Sequence, residues 1–218
     1  MLPVIIQRVQ IDKYNHPKNT ANFPKKADDL EVKDLDYKTE VRKTDLSLYA
    51  RLINYPIHHI HKFTLTELKL ISEAMLICIK TGSYSGLCEE DLEPVLNRLT
   101  SEWIPGAWFV RFDSCSPKDG VGDYPLLDPK GLLKMIVTSS RARSAIEVGN
   151  DTLFFAPFDY KWDSTKELRV YVRKGIVTCI SQYSPYNSSF YSDKPDDYLI
   201  DLAIRIKNFL ARKVPLIS

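Results

Sequence analysis

The loop from Ser114 to Gly120, SCSPKDG, gathers two hydroxyls, a cation, a carboxylate and a glycine in one short stretch. A phosphate-binding loop asks for this set: free backbone N–H groups, hydroxyl donors, and a Lys or Arg as counter-charge. Arg111, at the end of the preceding strand-like run WFVRF, and Lys118 supply two such cations, with Ser116 and Asp119 beside them. The same composition also suits an ordinary surface turn with a solvated Lys118–Asp119 pair, and both readings stand at this point.

Two further groups of residues invite chemistry. Glu167 and Arg169 lie two apart in ELRVYVR and so share one face of a strand, with Leu168, Val170 and Val172 on the other. Gln182 on the following strand is expected to join the polar face. A one-sided sheet wetted by solvent and a sheet lining a nucleotide cleft both look like this. His58, His59 and His61 raise a metal reading, since His59 and His61 share a strand face. No acid or thiol stands near them in sequence, so packing and surface roles are the simpler account. No nucleophile-elbow pattern accompanies any Ser/His pair.

The elements that must position these residues are legible in outline. Val4 to Ile11 reads as a strand, followed by a polar, charge-mixed connection over 12–46. Thr64 and Glu67 form a capping-box pattern. It opens a helix with Leu65, Leu68, Ile71, Met75 and Ile79 as its apolar stripe, stopped by Gly82. A helix is expected over Glu89–Trp103 and a strand over 107–112, with Trp108, Val110 and Phe112 inward. Asp128-Pro129 starts another helix, ending near Ser139. Strands at 153–158, 167–173 and 176–183 follow as an antiparallel meander, the last two joined at Lys174-Gly175. The final helix presents Tyr198, Leu199, Leu202, Ile206, Phe209 and Leu210 on one face. The class is α+β.

Composition narrows the field. The chain has 218 residues, 44% of them hydrophobic, which supports a packed core. A net charge of +2 gives no electrostatic case for nucleic acid as the main partner. No apolar run, that of Met75 to Ile79 included, is long enough for a membrane span. MLPVIIQRVQ lacks a signal-peptide pattern, and the four cysteines fall at no metal-ligand spacing, so a cytoplasmic protein with reduced thiols is expected.

Two of these stretches together resemble one family. WFVRFDSCSPKDG is similar to the signature of the cell division cycle protein 123 family, in which a strand ending in Lys enters a Ser-Ala-Pro-Lys/Arg-Asp-Ala turn. KELRVYVRKGIVTCISQYSPY resembles that family's later hairpin, Glu-Phe-Arg-Cys-Phe-Val, a turn, then Ile-Ser-Gln before a Tyr-rich loop. Their order, their spacing and a closing helix also fit, and the resemblance covers about 105 to 213.

The resemblance implies an ATP-grasp-like fold with a helical N-terminal part, an antiparallel sheet and an incomplete or compact C-terminal lobe. It divides the chain into 1–105 and a nucleotide-binding part at 106–218. ATP is the implied cofactor. Arg111 takes the position of a phosphate-contacting Lys, while Ser116, Lys118 and Asp119 match the phosphate-covering turn. Arg169 matches a sheet arginine facing the nucleotide, with Glu167 beside it and Gln182 on the partner strand. The strand holding Phe155 and Ala156 becomes the hinge that receives adenine.

Asp113 stands where the family usually has Asn, and Arg111 where it has Lys. The strand carrying the family's magnesium ligands has no counterpart before the closing KVPLIS, so no magnesium site is assigned. A fragment and a compact relative are both consistent with that. The implied protein partner is the gamma subunit of eukaryotic translation initiation factor two, with no membrane involved. The expected function is ATP binding by an assembly chaperone or binding protein. The alternatives are an interaction module that has lost nucleotide, docking through 25–46 or through Tyr183, Tyr186, Phe190 and Tyr191, and a remnant ATP-dependent ligase or kinase.

Overall fold

The computed structural model describes residues 6, 42, 45–51, 54–81, 84, 86–173, 176–182 and 190–212. The expected strand Val4–Ile11, most of the charged connection, the Lys174-Gly175 turn and the loop tyrosines Tyr183 and Tyr186 lie outside the described residues. The fold is α+β, and the chain divides into two compact units, Asp36–Tyr160 and Met1–Leu35 with Lys161–Ser218. The division therefore falls after Tyr160 rather than at 105/106, because strands on either side of 105 belong to one sheet.

In the larger unit, a one-turn helix α1 (Leu46–Tyr49) precedes β1 (His59–Lys62), α2 (Leu65–Thr81), α3 (Gly86–Asp91) and α4 (Glu93–Glu102). Then come β2 (Trp108–Phe112), α5 (Pro129–Thr138), α6 (Ser140–Glu147) and β3 (Thr152–Pro157). The strands form an antiparallel sheet in the order β1-β3-β2. Placing β3 at the centre corrects the expected meander. β3 pairs with the two earlier strands, and the last two strands form a separate hairpin.

Local signals shaped the helices as their chemistry requires. At the start of α2, Thr64 N donates to Glu67 Oε2 at 2.7 Å and Glu67 N donates to Thr64 Oγ1 at 3.2 Å, a reciprocal capping box. Its buried stripe is Ile71, Ala74, Met75 and Cys78; Leu65, at 87% exposure, and Ile79, at 59%, point outward. At about 100° per residue, Leu65 and Ile79 sit on one side of the helix and Ile71 and Cys78 on another, so one stripe cannot hold all four. The single helix expected over 89–103 is two, α3 and α4. Pro94 lies at the start of α4, where its missing N–H costs nothing and the helix restarts. Asp128 Oδ1 accepts from Gly131 N at 2.8 Å, which caps α5 as its sequence predicts.

One face of the sheet carries the core. Trp108, Val110, Phe112, Leu153 and Phe155 pack against Ile71, Met75, Leu99, Leu132, Leu133 and Ile136. The opposite face is smaller: Phe154 lies under Leu46 and Ala50, with Tyr49, Tyr55 and Ile57 around them.

The second unit holds β4 (Leu168–Arg173), β5 (Ile176–Gln182) and α7 (Asp196–Ala211). β4 and β5 pair antiparallel with a register shift between Tyr171 and Val172. α7 packs on β5, half-burying Leu199, Leu202, Ala203, Ile206 and Leu210, while Tyr198 and Phe209 of the expected face are exposed.

Candidate functional site

The loop after β2 is held against the α5–α6 corner at nearly every residue. Ser114 N donates to Asn150 Oδ1 at 2.8 Å, and the Cys115 thiol donates to Arg141 O at 3.2 Å. Ser116 and Pro117 are buried. Gly120 N closes a turn to Pro117 O at 3.0 Å, and Val121 N donates to Thr138 Oγ1 at 2.7 Å. A Cβ on Gly120 would lie 2.1 Å from Met135 O, so only glycine fits against α5. The break in the strand pattern after Phe112 is thus a packed, side-chain-clamped loop.

Asp119 is the main clamp. Its Oδ1 accepts the Ser139 hydroxyl at 2.5 Å, and its Oδ2 accepts the Ser140 hydroxyl at 2.6 Å and Arg141 N at 3.2 Å. Ser139 in turn caps α6 by accepting from Ala142 N at 2.9 Å. Burial pushes the Asp119 carboxyl up, but these hydrogen bonds outweigh it and hold the group below its ordinary value. Asp119 therefore stabilises a helix N-terminus, where an anion is favourable.

The cations gather around this loop. Arg111 folds back on its own strand end, donating from Nε to Phe112 O at 3.1 Å and from Nη2 to Asp113 O at 3.0 Å. Asp113 meanwhile secures α1, accepting Ser47 N and Ser47 Oγ, each at 2.7 Å. Lys118 Nζ lies 5.5 Å from the Phe109 ring centroid. Phe109 packs on Tyr124 at 4.9 Å, and Tyr124 stacks parallel to Phe158 at 6.4 Å. Arg141 was not singled out by its sequence, yet it belongs to this group. Burial pushes the Cys115 thiol up, and the guanidiniums of Arg141 and Arg111 both pull it back. Burial likewise raises the Tyr124 phenol, whose hydroxyl donates to Val110 O at 2.9 Å.

Phe155 and Ala156 do not form an adenine slot. β3 is the central strand, paired on both sides, and its successive side chains face opposite ways. Phe155 belongs to the helix-side core, and its carbonyl accepts His58 N at 2.8 Å. Ala156, opposite Phe109, is buried on the other face.

Glu167, Arg169 and Gln182 belong to the second unit. Trp162 Nε1 donates to Glu167 Oε1 at 3.2 Å. Arg169 is exposed and stands opposite Ser181, whereas Gln182 stands opposite Leu168. Directly opposed residues of an antiparallel pair project to the same face, so Gln182 shares the face of Leu168 rather than that of Arg169. The register, which the sequence alone does not display, decides this.

The histidines do share a face as expected, but among the described residues no group of three or more His, Cys, Asp or Glu is placed to hold a metal ion. His59 stacks on Phe155 at 3.8 Å. His61 Nδ1 lies 2.7 Å from Glu102 Oε2. Arg98 then joins Glu102 Oε1 at 3.0 Å, Glu67 Oε2 at 2.5 Å and Lys62 O at 2.6 Å. The Arg98–Glu102 spacing of four residues on one helix was the available sequence signal for this network.

No helix among the described residues is long and apolar enough to cross a membrane. No protein-family model, curated protein or solved structure matches the chain.

Proposed function

We propose that the protein binds a phosphate-bearing ligand beside the 114–120 loop, with Arg111, Lys118 and Arg141 as its cations. The observation that carries this is one clamped loop that bears Lys118, follows the β2 end bearing Arg111, and is fastened to the backbone of Arg141 on α6. Such a preorganised loop loses little freedom on binding an anion. Asp119 acts in it as the clamp that holds the loop, and the rings of Phe109, Tyr124 and Phe158 form the neighbouring apolar surface. The resemblance to the cell division cycle protein 123 family makes ATP the first ligand to test. It also makes a cytoplasmic ATP-grasp-type binding protein or assembly chaperone the proposed role, with the gamma subunit of eukaryotic translation initiation factor two as the implied partner.

A second reading is an interaction module without nucleotide. It is favoured by the prior engagement of Arg111 with two backbone carbonyls, since a ligand must compete for that guanidinium.

Thermal unfolding with and without ATP, each with and without magnesium, separates the two. Ligand at a hundred times its Kd contributes about 2.7 kcal/mol. For a chain of this size that is a rise of about 5–10 °C. The rise should disappear in Arg111→Met and Arg141→Met, compared as shifts because the variants start from different stabilities. Arg169→Ala asks whether the hairpin contributes. No rise at millimolar ATP overturns the nucleotide reading and leaves the interaction module.

A further inference from the structure

The network behind β1 supports an inference independent of ligand binding at the loop. His61 is 2% exposed. Glu102 is held ionised, its carboxyl lowered first by the Arg98 hydrogen bond and also by His61. A carboxylate can only accept, so the proton of a neutral His61 ring sits on Nδ1 and Nε2 is left a bare acceptor. That Nε2 is buried with no hydrogen-bond partner.

Among the described residues, nothing around the ring offers a home to a second proton. α4 presents Glu102, already taken by Nδ1, and Arg98, a cation; α2 presents Glu67, already bound by Arg98 and Thr64. β1 itself contributes His59, with His58 just before it and Lys62, paired to Asp151 at 3.3 Å, just after. β3 places Leu153 opposite, and the Phe63 ring lies edge-on at 4.7 Å. His59 repeats the pattern: its Nδ1 is buried and unpartnered, with Trp108 edge-on at 5.5 Å.

We propose that His61, seconded by His59, is an acid-operated latch: as uncharged rings they hold β1 against α2 and α4, and protonation at their unpartnered nitrogens releases that edge of the sheet. A charged imidazole facing apolar atoms is costly, and exposing it to water removes the cost. β1 is the element that yields. It has four residues and is an edge strand in the order β1-β3-β2. Arg98 couples the release to the helices, because it grips Glu102, Glu67 and the carbonyl of Lys62 together.

The direction in pH follows from linkage. Burial is the largest influence on both rings and lowers both. Below the ordinary value of 6.5, an opened histidine binds a proton that the closed one refuses, so acid favours opening. Each titrating ring changes the open-to-closed ratio by about tenfold per pH unit inside that window. Above 6.5 the closed form keeps its full advantage.

The test is amide hydrogen exchange on the full chain from pH 7.5 to 5, corrected for intrinsic rates, with ring titration of the histidines by NMR. The expected result is loss of protection over 59–62 and 98–102, by about tenfold or more per unit below 6.5. Amides of 132–137 should keep theirs. His59→Phe and His61→Phe should each reduce the slope, and the double variant should flatten it. Should His61→Phe fail to fold, the His59→Phe slope and the wild-type titration still decide. Titration of His61 at or above 6.5, unchanged protection over 59–62, or equal loss at 132–137 overturns the latch.

Discussion

Asp119 and Ser139 are twenty residues apart in the chain, yet their side-chain oxygens meet at 2.5 Å. That contact joins the end of a loop to the first turn of α6 and makes the two one rigid piece. It also reassigns Asp119, a residue whose loop composition suggests phosphate chemistry, to helix capping.

Asp119→Ala should therefore lower stability by about 1–2 kcal/mol, the usual range for a lost helix cap. The carboxyl is held below its unfolded value of 3.8, so its contribution is complete above that value and fades as pH falls through the folded one. Urea unfolding of both proteins should show the gap at pH 7 and its narrowing below about pH 4. A constant gap across that range would show that the ionised carboxylate is not what Ser139 and Ser140 recognise.

Gly120→Ala tests the close approach of the loop to α5. The backbone at Gly120 is not left-handed, so the demand is steric alone: the added carbon would meet the Met135 carbonyl. The expected cost is about 3 kcal/mol, at the upper end for overpacking, because backbone on both sides resists movement. Gly131→Ala is the control. Its new carbon would meet only the Asp128 carboxylate at 3.4 Å, and the helix gains from alanine. Thermal unfolding should rank the two variants in opposite directions from wild type.

Arg98→Met should cost about 2 kcal/mol by urea unfolding, since it leaves the nearly buried Glu67 carboxylate with Thr64 alone and the Lys62 carbonyl without its guanidinium. A loss under about 0.5 kcal/mol would mean the network is only a surface decoration.

Tyr124 should resist ionisation. Burial pushes its phenol well above the ordinary 10.0, and ionisation would also give up the proton it donates to Val110 O. Ultraviolet titration should find a tyrosine that stays protonated above pH 10. Because the folded value is raised, its contribution to stability is complete below pH 10 and is lost as pH rises further. Tyr124→Phe removes the resistant signal and costs about 1 kcal/mol.

Features that depend on neighbouring residues were readable without coordinates. The capping box of Thr64 and Glu67, the Asp128-Pro129 start of α5, and the inward alternation of Trp108, Val110 and Phe112 are each written within a few positions. Short-range hydrogen bonds and the period of the strand determine them whatever the rest of the chain does.

Partners distant along the chain were not readable. Sequence alone determined that Glu102 follows Arg98 by one helical turn, that His59 and His61 share a strand face, and that a turn interrupts the chain after Phe112. Only the tertiary structure decided that Glu102 meets His61, that Gln182 faces Leu168's side, that Phe155 enters the core, and that Asp119 caps α6. The reason is physical: strand order, register and helix docking are set by how the whole apolar surface can be buried at once. A one-residue change of register reverses every face while leaving the local pattern unaltered.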